Sequence, residues 1–130
     1  MIDEAMARAL LSECELHAMI GLELTEWGEG AIAFRFLPPP SMRSGQHASV
    51  HGGALATALD TAATFAIISS AQNDAGTVDL RIDYMRPAVH REFRVEGRTT
   101  RLGRTLGWAD SQIATADGRL IATARGTFVR

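Results

Sequence analysis

Asp60 is the only charged residue between His51 and Ile68, inside a run that is rich in alanine and apolar on every side. A carboxylate in an apolar helix costs free energy unless it is hydrogen-bonded or has a function. Two readings fit it: a residue placed where the helix meets the surface or caps a neighbouring loop, or a catalytic acid or base. At the head of the same run stands His51-Gly52-Gly53. A helix N-terminus presents unpaired backbone N–H groups and the positive end of the helix dipole, and glycine lets a ligand come close. Such N–H groups are suited to an oxyanion formed when a carbonyl is attacked; the plainer alternative is a tight turn into the helix. Gly53 and Asp60 are separated by about 10 Å of helix, whereas groups acting on one carbonyl must lie within about 3–3.5 Å of the reacting atoms. One chain cannot easily supply both, so a site built from them would be shared between two subunits.

These groups need elements to carry them. The stretch His51 to Ile68 reads as one buried helix. Ahead of it, Ser41 to Val50 has no periodicity and holds Gly45, Gln46 and His47, which reads as a loop, a common seat of function. Behind it, Gln72-Asn73-Asp74-Ala75-Gly76 reads as a turn. Val78, Leu80, Ile82 and Tyr84 then alternate against Thr77, Asp79, Arg81 and Asp83 until Pro87, a strand with one buried face and one wet face. Upstream, Leu22 and Leu24, a Gly28-Glu29-Gly30 turn, and Ile32, Phe34 and Phe36 spell a hairpin ended by Pro38-Pro39-Pro40. Phe93 and Val95 begin another strand, Arg104 to Ala116 holds a further one, and Asp117-Gly118 is a two-residue hairpin signal leading into Leu120 to Val129. In residues 1–20, Met6, Leu10, Cys14 and Met19, with Leu11 and His17, are spaced for a short amphipathic helix that stops near Gly21 and acts as a flap. The sum is a single α+β domain over 1–130, with five or six antiparallel strands wrapped around one buried helix. So small a sheet cannot cover a helix completely, and a second subunit is expected to finish the burial.

Composition removes several function classes. The 130 residues carry a net charge of -2, which argues against a nucleic-acid partner with its need for a basic surface. Cys14 is the only cysteine, so neither a disulfide framework nor a CxxC site exists, and a reducing cytoplasm fits. Asp3, Glu4, Glu13 and Glu15 make the first twenty residues unlike a signal or transit peptide. The longest apolar stretch, Ala62 to Ile68, is broken by Thr64 and falls short of a membrane span, so no membrane partner is expected. His17, His47, His51 and His90 lack ligand spacing, and no metal is expected. Ser41, Ser44 and Ser49 lie in no G-x-S-x-G elbow, and without a phosphate-loop or dinucleotide fingerprint no cofactor is expected.

His51-Gly52-Gly53, then Asp60 nine residues after the histidine, then Thr77-Val78-Asp79-Leu80-Arg81-Ile82-Asp83-Tyr84-Met85-Arg86-Pro87, resemble the hotdog thioesterases of the phenylacetate-degradation (PaaI-like) type. The resemblance runs from about residue 20 to the C-terminus. It implies the hotdog fold, a curved antiparallel sheet around one long central helix, in homodimers paired edge to edge and often doubled into homotetramers. It also implies that Gly52 supplies an N–H that polarises a thioester carbonyl, and that Asp60 acts as general base for water or as nucleophile. Thr77 then matches a small hydroxyl that places the water or the carboxylate, and Thr64 a hydroxyl used in one branch of the family. His51 in this motif anchors the loop, with direct acid–base work as the lesser alternative. Family members commonly carry Asn or Gln six residues before the histidine, where this chain has Gly45; Gln46 or His47 would have to substitute. Arg101-Leu102-Gly103-Arg104-Thr105 resembles the turn where the family holds nucleotide phosphates, which the arginine fork pairs two oxygens at a time; Arg86 is a further phosphate contact. Gly53 is a further substrate or CoA contact, and the acyl group is expected beside the central helix, where Ala54, Ala58 and Ala62 offer little bulk and Leu55, Leu59 and Phe65 line a channel or are plain core.

The function so implied is an acyl-CoA thioesterase that releases free acid and CoA from aryl- or medium/long-chain substrates. A hotdog protein that binds acyl-CoA without hydrolysis is favoured by Gly45 and opposed by Asp60. A hotdog hydratase or dehydratase is opposed by the spacing, since those enzymes use a catalytic His and a carboxylate in a different motif.

Overall fold

The alternating apolar segments form strands and the alanine-rich run forms a helix in the computed structural model, which describes all of Met1–Arg130. Two short helices come first, α1 (Glu4–Ser12) and α2 (Glu15–Met19), followed by strands β1 (Leu22–Gly28) and β2 (Ala31–Phe36). A 3-10 turn at Pro40–Met42 leads to the two-residue strands β3 (Arg43–Ser44) and β4 (Ser49–Val50), and then to helix α3 (Gly52–Ala71). Strands β5 (Gly76–Tyr84), β6 (Phe93–Leu102), β7 (Leu106–Ala114) and β8 (Leu120–Val129) complete the chain. The six long strands make one antiparallel sheet in the order β1-β2-β6-β7-β8-β5, packed on α3 as the hotdog fold requires. Phe34, Phe36, Phe93, Val95, Ile113, Ile121 and Phe128 are fully buried on its inner face, against Ala58, Leu59, Ala62, Ala66 and Ile67 of α3. Each such large apolar side chain contributes about 1.5–3 kcal/mol of burial.

The contact between helix and sheet is close, and that fixes how α3 is rotated. A Cβ at Gly97 of β6 would stand 2.1 Å from the Ala62 carbonyl oxygen, so only glycine fits there. The hydroxyls of Thr99 and Ser111 donate to the carbonyls of Ala66 (2.9 Å) and Leu59 (2.8 Å), pinning the helix from β6 and β7. The small residues Ala58 and Ala62 therefore serve helix–sheet approach rather than room for a ligand. What the sheet leaves uncovered is a stripe of Gly53, Ala56, Thr57, Asp60 and Thr64, at the 3.6-residue period of one helix face.

Four sequence expectations are corrected. The N-terminal segment is two helices broken at Glu13–Cys14, and it buries Ala7, Leu11 and Ile20, whereas Met6 and Met19 are half or more exposed and Cys14 is exposed. The break is held by the His17 ring, whose Nδ1 lies 2.7 Å from the Leu11 carbonyl oxygen. Ser41 to Val50 is a 3-10 turn and a small hairpin, β3 paired with β4. The whole of α3, at 20 residues and mean hydropathy 1.4, is long and apolar enough to cross a membrane by length and composition, but 67% of the span is buried under the sheet. The apolar residues of β5 are not buried either: Val78 and Tyr84 are 57% and 52% exposed and Leu80 and Ile82 only partly covered, because β5 is an edge strand.

Candidate active site

Residue His51 adopts φ -56° and ψ 134°, extended backbone that turns the chain into α3, and its side chain caps the helix. The ring Nδ1 accepts a hydrogen bond from the Gly53 N–H at 2.8 Å, so this nitrogen carries no proton and the ring works as an anchor. The backbone N–H of His51 donates to the Met42 carbonyl, and its own carbonyl accepts from Ala54 and Leu55. The Gly53 N–H is thus already used. The Gly52 N–H donates to no group of the chain, and it belongs to the peptide whose carbonyl, on His51, already accepts two bonds. Hydrogen bonds in series polarise one another, which makes the Gly52 N–H the stronger donor. Gly52 is also clamped from β5: the Tyr84 hydroxyl donates to its carbonyl at 2.8 Å.

Asp60 lies two turns further along α3, partly buried on the uncovered stripe. The Thr77 hydroxyl donates to its Oδ1 at 2.7 Å, leaving Oδ2 free to accept from elsewhere. Thr64 does not bond the carboxylate; its hydroxyl donates to the Asp60 backbone carbonyl at 2.8 Å and lies 3.4 Å from the Thr77 oxygen.

Thr77 and Tyr84 are an odd number of residues apart, and in a regular strand they would face opposite sides of the sheet. The strict alternation expected from the sequence put them so. Both nonetheless bond α3, because the β5–β8 ladder slips by one residue between Thr77 and Asp79. A bulge of this kind re-aims the side chains on one side of it. The Thr127 N–H accordingly takes the Asp79 carboxylate as its acceptor, at 3.1 Å. The segment Thr77-Val78-Asp79-Leu80 thereby divides its work residue by residue, into a bond to Asp60, the bulge, an acceptor for Thr127, and core packing.

The other expected residues are spread more widely. Gly45, with φ 80°, is the left-handed residue that the β3–β4 turn needs, and Gln46 and His47 stand exposed at its tip. Arg86 lies at the Gly52 end of α3, with Nη1 donating to the Leu120 carbonyl at 2.7 Å. Arg101, Arg104 and Thr105 are exposed beside the β6–β7 turn, at the opposite end of α3, as the contacts of Thr99 with Ala66 and of Gly107 with Ile67 require. Arg101 sits over the Trp108 ring, 5.4 Å from its centroid. Leu55, Leu59 and Phe65 are core: Leu59 is fully buried beneath the sheet, and Phe65 meets Phe34 and Trp27 edge-on.

Sequence reasoning missed a groove of about 360 Å³ beside the start of α3, lined by Leu16 and Ile20 of the N-terminal segment, Met42 of the 3-10 turn, and Ala54 and Thr57 of α3. Its walls come from three separated segments, and no local pattern marks it. Tyr84 was visible as an apolar position in an alternating strand and as part of the Thr77 to Pro87 motif, with no role assigned to it.

Residues 47–122 match the thioesterase superfamily. The chain is 29% identical, over 85% of its length and 81% of the relative's, to the medium/long-chain acyl-CoA thioesterase YigI of Salmonella typhimurium. A solved protein from the thioesterase superfamily superposes with a TM-score of 0.91 at 27% identity, covering 97% of this chain and 96% of the other. The PaaI protein of the Escherichia coli phenylacetic acid degradation operon shares the fold, with a TM-score of 0.87 at 24% identity over 95% of this chain and 89% of its own.

Proposed function

We propose that this chain, which belongs to the thioesterase superfamily, hydrolyses acyl-CoA whose acyl tail is apolar, aryl or medium to long, to the free acid and CoA. The observation that carries the proposal is Asp60, a carboxylate on the uncovered stripe of α3 with one oxygen held by Thr77 and the other free. The thioester oxygen takes the free N–H of Gly52. Asp60 removes a proton from water as the water oxygen bonds to the carbonyl carbon. The negative charge that develops on the carbonyl oxygen is met by the Gly52 N–H, already in place before the reaction. When the intermediate collapses, the C–S bond breaks and CoA leaves as a thiolate, a good leaving group near neutral pH. The proton on Asp60 returns to solvent.

Gly52 and Asp60 are about 12 Å apart along α3, so the two groups meet one substrate only if a second copy of the chain lies against this face. The unpaired edge of β5, with Val78, Tyr84, Met85 and Val89 exposed beside it, supports pairing at that edge. A second copy also accounts for the arginines: Arg86 is near the Gly52 of its own chain, whereas Arg101, Arg104 and Thr105 reach the same CoA from the other copy. Gln46, at the hairpin tip, is the side chain available as a second donor to the thioester oxygen.

The test is a panel of thioesters, from acetyl- and hexanoyl- to palmitoyl-, phenylacetyl- and hydroxybenzoyl-CoA, with free CoA followed by a thiol reagent. Release from the members with apolar tails is the expected result. Binding of CoA esters with no release from any of them would leave a non-catalytic acyl-CoA-binding protein.

The groove beside α3 is the seat we assign to the tail, in line with the medium/long-chain naming of the relative. Thr57→Leu fills it, and one extra or missing methylene-sized contact is worth about tenfold in kcat/KM. Turnover of octanoyl-CoA should fall by about that factor, and acetyl-CoA, with no tail to reach the groove, should lose far less. Equal losses on the two substrates would remove the tail from this groove.

A further inference from the structure

We infer that Tyr84 is a positioning residue for the thioester-binding N–H: its hydroxyl, through the Gly52 carbonyl, holds the first turn of α3 in the geometry that stabilises the oxyanion. The inference rests on the proposal that Gly52 binds the thioester oxygen. Two observations and one physical requirement lead to it. α3 begins with two successive glycines, the residues with most backbone freedom to lose and among the poorest helix formers. A donor that must meet a developing charge is effective only if it is already fixed, yet the first turn of a helix is where fraying concentrates. Every backbone group around Gly52 is tied except the N–H that the substrate needs: the His51 N–H to Met42, the His51 carbonyl to Ala54 and Leu55, the Gly53 N–H to the His51 ring, and the Gly52 carbonyl to Tyr84 at 2.8 Å.

Tyr84 is the one long-range side chain in that set. Its ring also lies 3.5 Å from where a Gly52 Cβ would be, covering the glycine flank. It reaches α3 because Leu80, Ile82 and Tyr84 face inward, paired with Gly126, Ala124 and Ala122, and the bulge after Thr77 brings the Thr77 hydroxyl to the same side. The same edge strand thus carries the Thr77 hydroxyl to Asp60 and the Tyr84 hydroxyl to Gly52, one at each end. The strand proposed to pair with a second copy is therefore the strand that orients both reactive groups, and loosening that edge disturbs both together.

Tyr84→Phe keeps the ring and removes the hydroxyl. Steady-state kinetics on the best acyl-CoA should show kcat lowered about tenfold with KM nearly unchanged. A second readout needs no turnover: the carbonyl stretch of the thioester bound to Asp60→Asn protein, seen by isotope-edited infrared difference spectroscopy. In Asp60→Asn the band should lie below its position in solution, and in Asp60→Asn with Tyr84→Phe it should move back towards it. An unchanged kcat, a raised KM at constant kcat, or a kcat loss with an unmoved carbonyl band would each overturn the assignment. Asp60→Asn with Gly52→Pro serves as the reference. If that variant also leaves the band where it is, the fault lies with Gly52 as the donor and not with Tyr84 alone.

Discussion

Asp60→Asn should lower acyl-CoA turnover by about 10³-fold while leaving the fold intact. The substitution keeps shape and volume and leaves an Oδ1 acceptor for the Thr77 hydroxyl, so the bond seen at 2.7 Å survives. It removes only the capacity to take a proton from water. Asp60 is partly buried and forms no ion pair, so no cation is orphaned by its loss. The thermal midpoint should move by no more than a few degrees, which corresponds to about 1 kcal/mol. Thiol release by stopped assay, beside a thermal melt, separates the two effects. Turnover within about threefold of the parent would remove Asp60 from the chemistry. A collapse of the melting transition would assign it to structure instead.

The second large effect is expected from deleting a single hydrogen-bond donor. Gly52 is the first residue of α3, where proline is tolerated because that N–H has no partner within the helix. The residue before a proline must be extended, and His51 already is, at φ -56° and ψ 134°. A Cβ at position 52 meets the Tyr84 ring at 3.5 Å, an ordinary contact. Gly52→Pro therefore removes the N–H from a backbone that accepts the ring, and kcat should fall by about 10²- to 10³-fold, the usual loss for one oxyanion donor. Gly52→Ala is the matched control: it adds the same Cβ, keeps the N–H, and should stay within a few fold of the parent. If the two variants lose activity equally, it is the added bulk and not the lost donor that matters, and the thioester oxygen lies elsewhere.

Most of the architecture was legible because each element carried its own period. The alternation in Ile32, Phe34 and Phe36, the Asp117-Gly118 turn and the all-round apolar α3 fall where the sequence placed them. His51-Gly52-Gly53 at the head of α3 and Asp60 on its uncovered stripe were legible as candidates for a different reason, since a single charge in an apolar helix demands either a partner or a function. The bulge in β5 was not legible. It is an event between two strands, and its one local trace is a short carboxylate, Asp79, that serves the ladder N–H of Thr127. Missing it put Thr77 and Tyr84 on opposite faces, so that one strand could not be seen to serve both Asp60 and Gly52. The N-terminal face was misread because Ala7, too small to dominate a hydrophobic stripe, is the residue that lets α1 approach the core. Apolarity alone left Leu59 as channel wall or core, and the position of the sheet shows that it faces the core.

The central claim is that the N–H of Gly52 and the carboxylate of Asp60 act on the same thioester from two different copies of the chain. Co-expressing Gly52→Pro and Asp60→Asn chains with different affinity tags, and purifying the mixed oligomer through both, tests it directly. Each variant alone should be nearly inactive. In a mixed pair, one site combines the intact Gly52 of one copy with the intact Asp60 of the other, while the second site carries both defects. About half of the parental activity should return in the doubly purified pair, or about a quarter after random exchange of subunits. A mixed pair that stays at the level of the two inactive parents would contradict the shared site.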